Sequence, residues 1–105
     1  MKRHRVSFTP EAADQARLAD EWWRANRPAS PSLFKAELDD AVSLVGRAAG
    51  AGRKYDSAAL EGVRRLPLQR ARFHVYYVVR ADEVIVVAVW SALRGHGPPL
   101  PAAAQ

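Results

Sequence analysis

Gly62-Val63-Arg64-Arg65-Leu66-Pro67-Leu68-Gln69-Arg70-Ala71-Arg72-Phe73-His74-Val75-Tyr76-Tyr77-Val78-Val79-Arg80 holds two strands and the turn that joins them. Gly62 to Leu68 reads as the first strand. Pro67 lacks a backbone donor and restricts that strand to an edge or an end. Gln69-Arg70 turns the chain into a second strand, Arg72 to Arg80. At the strand period of two, Phe73, Val75, Tyr77 and Val79 form one apolar row. Arg70, Arg72, His74, Tyr76 and Arg80 fall on the other face, with Val78 among them. Tyr77 is therefore expected in the core and Tyr76 outside it. Ala81-Asp82-Glu83 then turns into Val84 to Trp90, apolar on both faces as a central strand should be. Turns this tight make the three strands antiparallel.

Upstream, the signals are helical. His4 to Phe8 is a short first strand, with Val6 and Phe8 on one side. Thr9-Pro10-Glu11 is a helix start: a capping hydroxyl, a proline suited to the first position, and an acid at the positive end of the dipole. Ala12, Ala16, Ala19 and Trp23 recur at helical spacing, widened by Leu18 and Trp22. Pro28 closes this helix, and Ser30-Pro31 opens a second. Its stripe is Phe34, Leu38, Ala41, Val42 and Val45, and Gly46 is expected to end it. The short link from Asn26 to Pro31 makes the pair an antiparallel hairpin. Residues 46–61, with Gly46, Gly50 and Gly52, read as a mobile loop. The order is β-α-α-β-β-β. The expected fold is α+β: an antiparallel sheet of about four strands with the helical hairpin packed on one face.

At 105 residues the chain is expected to form one domain over 1–97, with residues 98–105 as a disordered tail. Composition is 49% hydrophobic and 26% charged, as in globular chains. There is no cysteine, so disulfides and thiolate metal sites are excluded. No signal-peptide core follows the charged start, and Val84 to Trp90 is far too short to span a bilayer. A cytoplasmic protein without membrane contact is the expectation. Net charge is +5. Residues 1–46 hold seven Lys/Arg and seven Asp/Glu, whereas residues 47–105 hold nine and four. The excess lies wholly in the second half, which suggests one cationic surface and an anionic partner.

Three constellations could carry chemistry. His74 is the one histidine in the basic strand Arg72 to Arg80. A lone strand histidine is usually just solvated, but Arg72 and Tyr76 beside it supply phosphate-binding and proton-moving groups. Arg64, Arg65, Arg70, Arg72, Arg80 and Arg94 come without a single lysine between positions 62 and 94. A merely solvated face has no need of that bias, whereas guanidinium forks match carboxylates and phosphates. Trp90 ends the central strand and suits the core or a partner, as do Trp22 and Trp23. No phosphate loop, dinucleotide fingerprint or metal-ligand spacing occurs, so no cofactor and no metal are expected.

The element order and several segments resemble the RelE/ParE superfamily of bacterial toxins. The segments are Phe8-Thr9-Pro10-Glu11-Ala12, Arg64-Arg65-Leu66, Arg72-Phe73-His74-Val75-Tyr76-Tyr77, Val84 to Trp90, and Arg94. The resemblance spans about residues 5 to 97. It implies the toxin of a type II toxin–antitoxin pair, a growth inhibitor of the plasmid-stabilisation kind. A cognate antitoxin would bind it in a hetero-oligomer, with Trp22 and Trp23 as anchors. RelE-like members cut messenger RNA on the ribosome, and His74 and Arg94 fall where their catalytic groups stand. ParE-like members act on DNA gyrase. In that case Arg64, Arg65, Arg70, Arg72, Tyr76, Arg80 and Trp90 would meet the target. Arg53 and Lys54 precede Gly62, but no lysine lies near the strand and no tyrosine follows Arg94. With the long hairpin, this favours the ParE-like reading. An endoribonuclease, or an inactive antitoxin-binding relic, is the alternative.

Overall fold

The computed structural model describes residues 3–101. Its elements are β1 (Arg5–Phe8), α1 (Pro10–Asn26), α2 (Leu33–Arg47), β2 (Arg53–Lys54), β3 (Arg64–Leu68), β4 (Phe73–Arg80) and β5 (Glu83–Ser91). The sheet has five strands in the order β1-β5-β4-β3-β2. β1 lies parallel to β5, and the remaining pairs are antiparallel. The fifth strand is β2, two residues within the stretch read as a loop.

The helix signals act as expected at α1. Thr9 Oγ1 accepts the Ala12 N–H at 3.1 Å, and Pro10 occupies the first turn. At α2, Ser32 holds the cap position without a side-chain bond. The hairpin turn closes instead through the backbone, Leu33 N–H to Ser30 O at 3.2 Å. Gly46 does not end α2, which runs on to Arg47. Its bare Cα lets β1 come close: the Gly46 carbonyl accepts the His4 N–H at 2.7 Å.

The main core lies between the helices and the sheet. Ala12, Ala19, Trp23, Phe34, Leu38 and Val45 meet Leu68, Val75, Tyr77, Val84, Val86 and Val89. The small residues of α1 let its backbone approach β5, while Phe34 meets Phe73 edge-on at 5.0 Å between centroids.

The other sheet face is covered as well. Leu60, Val63, Tyr76, Val78, Val87 and Ala88 form a second cluster, with Tyr55, Ile85, Trp90 and Leu100 packed against it. Of the stretch read as a loop, Tyr55 and Leu60 are therefore laid on this face of the sheet, while residues 46–47 belong to α2 and 53–54 to β2. Of the expected tail, Leu100 joins this cluster, and residues 102–105 lie outside the described residues.

β5 is apolar on both faces because both are covered, and a β-bulge decides which of its residues face which cluster. Tyr76 pairs with Ala88 but Tyr77 pairs with Val86, leaving Val87 as the extra residue. Val84 and Val86 face the helices. After the bulge Val87 and Ala88 both face the second cluster, and Val89 returns to the first.

Candidate functional site

Two positions depart from the expectation, Arg72 in its backbone and Tyr76 in its burial. Arg72 has a φ of +62° and belongs to the turn, not to β4. Its N–H bonds back to Leu68 O at 2.8 Å. The turn is held from the helical layer, where the Glu37 carboxylate accepts the Ala71 N–H at 2.7 Å and the Arg70 N–H at 3.1 Å. Arg70 and Arg72 are thereby carried to the helical side of the sheet. Tyr76, expected outside the core, is only 3% exposed. Tyr55 packs edge-on against it at 4.9 Å, brought there by the loop that the alternation could not foresee.

The expected single cationic face is thus divided into three. Arg64 and Arg80 fasten the loop: Arg64 Nη1 donates to Gly52 O at 2.7 Å, and Arg80 Nη2 donates to Glu61 O at 3.3 Å. Arg65 lies on the second face, its guanidinium over the Tyr55 ring at 5.5 Å. Arg70 and Arg72 border a groove on the helical side. Arg94 stands at the end of β5, where its guanidinium stacks on Trp90 at 4.1 Å, and it borders cavities on both faces.

The groove between α1 and the ends of β4 and β5 has a volume of about 750 Å³. Leu18, Trp22 and Leu93 line it, and these are the exposed large apolar side chains among the described residues. Trp22 is 48% exposed, whereas Trp23 is buried with its indole N–H donating to Ser30 O at 2.7 Å. The two tryptophans therefore differ in role: Trp23 builds the hairpin, and Trp22 faces outward. Arg27, which the sequence reading did not single out, stacks over both rings at 5.3 and 5.8 Å. Its signal was a cation following a tryptophan pair at a helix end. Among the described residues, no carboxylate lines the groove. Among the described residues, Arg27, Arg70, Arg72 and Arg94 enter no ion pair; such pairs run along α1 and α2 instead. The result is an apolar trough under unneutralised guanidinium groups.

On the opposite face, His74, Arg65, Arg94, Tyr76 and His96 surround a smaller cleft of about 240 Å³. Trp90 separates the two cavities, its indole N–H donating to His96 O at 3.0 Å. Burial, and then the nearby Arg65 guanidinium, lower the His74 pKa from its ordinary value. Burial also raises the Tyr76 phenol. At neutral pH the cleft thus sets two guanidinium groups beside an uncharged His74 imidazole and a protonated Tyr76 phenol. Among the described residues, no group of three or more His, Asp or Glu is placed to hold a metal ion. No helix among them is long and apolar enough to cross a membrane.

A family model described as the ParE toxin of type II toxin–antitoxin system, parDE, matches residues 6–95. The chain belongs to this family. It is a type II toxin–antitoxin toxin by that membership. Among solved structures, a chain of the "Chromosomal ParDE TA system from P. aeruginosa" shares its fold with a TM-score of 0.69 at 19% identity. That match covers 85% of this chain and 96% of the other. No curated protein matches the chain closely enough to count as a relative.

Within this ParE-family fold, the His74 shift has a measurable consequence. As pH falls, the unfolded chain takes up the imidazole proton first, because the folded pKa lies below the ordinary 6.5. The stability that His74 contributes is thus complete above that value and is lost as pH falls from it toward the folded pKa. His74→Gln is expected to flatten the acid-side fall in Tm between about pH 8 and pH 5. Parallel curves for the two proteins would show that other groups set the slope.

Proposed function

We propose that this toxin inhibits growth by binding a protein target, DNA gyrase or a similar enzyme, and that its antitoxin neutralises it by filling the groove beside α1. One observation carries this reading. The groove gathers Trp22, read as an antitoxin anchor, with Arg70, Arg72 and Arg94, of which the first two were read as target-binding. A segment seated there covers part of the surface the target would need. Neutralisation then requires only occupancy. The fitting segment is acidic and amphipathic, since the trough is apolar and its guanidinium groups meet no carboxylate partner among the described residues.

A second reading, ribosome-dependent cleavage of messenger RNA, has one observation in its favour: His74, Arg65 and Arg94 line one cleft together. His74→Ala separates the two. A binder spreads its affinity, so loss of one half-buried imidazole is expected to cost under about 1 kcal/mol, or less than roughly fivefold in potency. A nuclease that lost its proton-transfer group would fall by about a hundred- to ten-thousand-fold. Growth arrest by His74→Ala, with circular dichroism to confirm folding, is expected to match the parent. Purified toxin is expected to block supercoiling and to spare translation when both assays run side by side. A folded, harmless His74→Ala variant would establish the nuclease instead. Normal growth at demonstrated expression of the parent would leave only an inactive antitoxin-binding relic.

A further inference from the structure

Arg65 and Arg94 line the smaller cleft together, and each lies over a ring that also lines it. The Arg65 guanidinium stands 5.5 Å from the Tyr55 centroid, and that of Arg94 stands 4.1 Å from the Trp90 centroid. A guanidinium held by its face keeps the N–H donors of its edge for an anion. Among the described residues, neither enters an ion pair, and no carboxylate lines the cleft. The segment after β5 supplies one wall. The Trp90 indole N–H holds His96 O at 3.0 Å, and Gly97 lies so near the Tyr55 hydroxyl that a Cβ would collide with it. The cleft of about 240 Å³ is smaller than the roughly 300–1,000 Å³ of typical small-molecule pockets, which suits a compact ion. A nucleic-acid strand would need rings on which to stack its bases. Here the rings are occupied: Tyr55 carries Arg65 and packs on Tyr76, and Trp90 carries Arg94 and His96.

We propose that this cleft binds free phosphate or a phosphate monoester as the dianion, gripped by the guanidinium edges of Arg65 and Arg94. Two fixed cations match its two charges, and forked donors match its oxygens. A second phosphate pKa of about 6 keeps the dianion at neutral pH. His74 shares the cleft with Arg65 from β3, Tyr76 from its own strand, Tyr55 from the loop, and Arg94 and His96 from the segment after β5. After burial, the Arg65 charge is the second cause of the lowered His74 pKa. The dianion offsets that charge, so binding is expected to raise the titration midpoint of the imidazole. The site goes beyond both readings of the toxin, neither of which calls for a free anion.

The test is an NMR titration of the full chain slightly above neutral pH. It follows the guanidinium Nε–H signals of Arg65 and Arg94 and the ring signals of His74. Inorganic phosphate and methyl phosphate are each expected to saturate these signals in the millimolar range or below, and the tighter of the two tells whether the free ion or an ester is the ligand. Dimethyl phosphate, a monoanion, is expected to bind about tenfold or more weakly by comparison. Arg65→Gln and Arg94→Gln are each expected to weaken phosphate by about tenfold or more, since each removes charge-assisted bonds. Arg17→Gln removes the same charge from an exposed position on α1 and is expected to leave the affinity unchanged. Saturating phosphate is expected to raise the His74 midpoint. Absence of saturation, equal affinity for dimethyl phosphate, an unmoved His74 midpoint, or an equal loss with Arg17→Gln overturns the site and leaves a diffuse cationic surface. Tighter binding at the same signals by an oligonucleotide that lacks a terminal phosphate also overturns it, in favour of a nucleic-acid strand.

Discussion

Trp22→Ala is expected to weaken the antitoxin complex by about thirty- to a thousand-fold, the span of roughly 2–4 kcal/mol that marks a buried aromatic anchor. The fold should not notice. Trp22 is 48% exposed, so truncation opens no cavity in the core. Trp23→Ala is the contrast. Its ring is buried, and its indole bond to Ser30 O closes the hairpin, so that variant is expected to lose about 3–5 kcal/mol of stability. Arg72→Glu acts on the same groove through charge, placing a carboxylate where an acidic segment must pass. Titration calorimetry against the antitoxin, paired with thermal melts, separates the three. In cells, Trp22→Ala toxin should arrest growth even beside its antitoxin, because neutralisation is lost while the rest of the surface persists. Parent-like affinity in the folded Trp22→Ala protein removes the groove from the antitoxin's path.

The elements that local signals specify were legible in the sequence. Thr9-Pro10-Glu11 starts a helix wherever it occurs in a suitable frame, and the apolar row of Phe73, Val75, Tyr77 and Val79 needs only the period of two. What could not be read depends on contacts distant along the chain. Two-residue β2 has no pattern of its own; it exists because Arg53 and Lys54 pair with Arg65 and Arg64. Tyr76 is buried because Tyr55, some twenty residues earlier, packs on it. The bulge at Val87 is silent within an unbroken aliphatic run, yet it decides which valines face the helices. The candidate site follows the same division. The arginine bias without lysine was visible, but the positive φ at Arg72 was not, and that one residue moves Arg70 and Arg72 to the helical side. Arg64 and Arg80 turned out to anchor the loop, as no spacing rule could tell.

Tyr77→Phe tests whether that loop is part of the fold or an ornament on it. The Tyr77 hydroxyl donates to Ala49 O at 2.7 Å and accepts the Gly52 N–H at 2.8 Å. Burial raises the phenol's pKa, and the Gly52 bond and Arg64 only partly oppose this, so the hydroxyl keeps its proton at neutral pH. Deleting it leaves a buried N–H and a partly buried C=O without their partner. The expected loss is about 2–4 kcal/mol, at about 1–3 kcal/mol for a buried group left unpaired. In a domain of this size that lowers Tm by roughly 10 °C or more. Gly52→Ala reaches the same junction from the other side. A Cβ at Gly52 would stand 2.8 Å from the Tyr77 oxygen and 3.1 Å from Arg65 O, and the Tyr77 ring is fully buried and cannot retreat. Both variants should release the amides of β2 to hydrogen exchange before those of β4 and β5. Neither touches the groove, which lies across the sheet beside β5 rather than beside β2. Antitoxin affinity measured well below the new Tm should therefore stay at the parent value. A Tyr77→Phe protein with unchanged Tm and protected β2 amides would mean that Arg64 and the β2–β3 pairing hold the loop without the phenol.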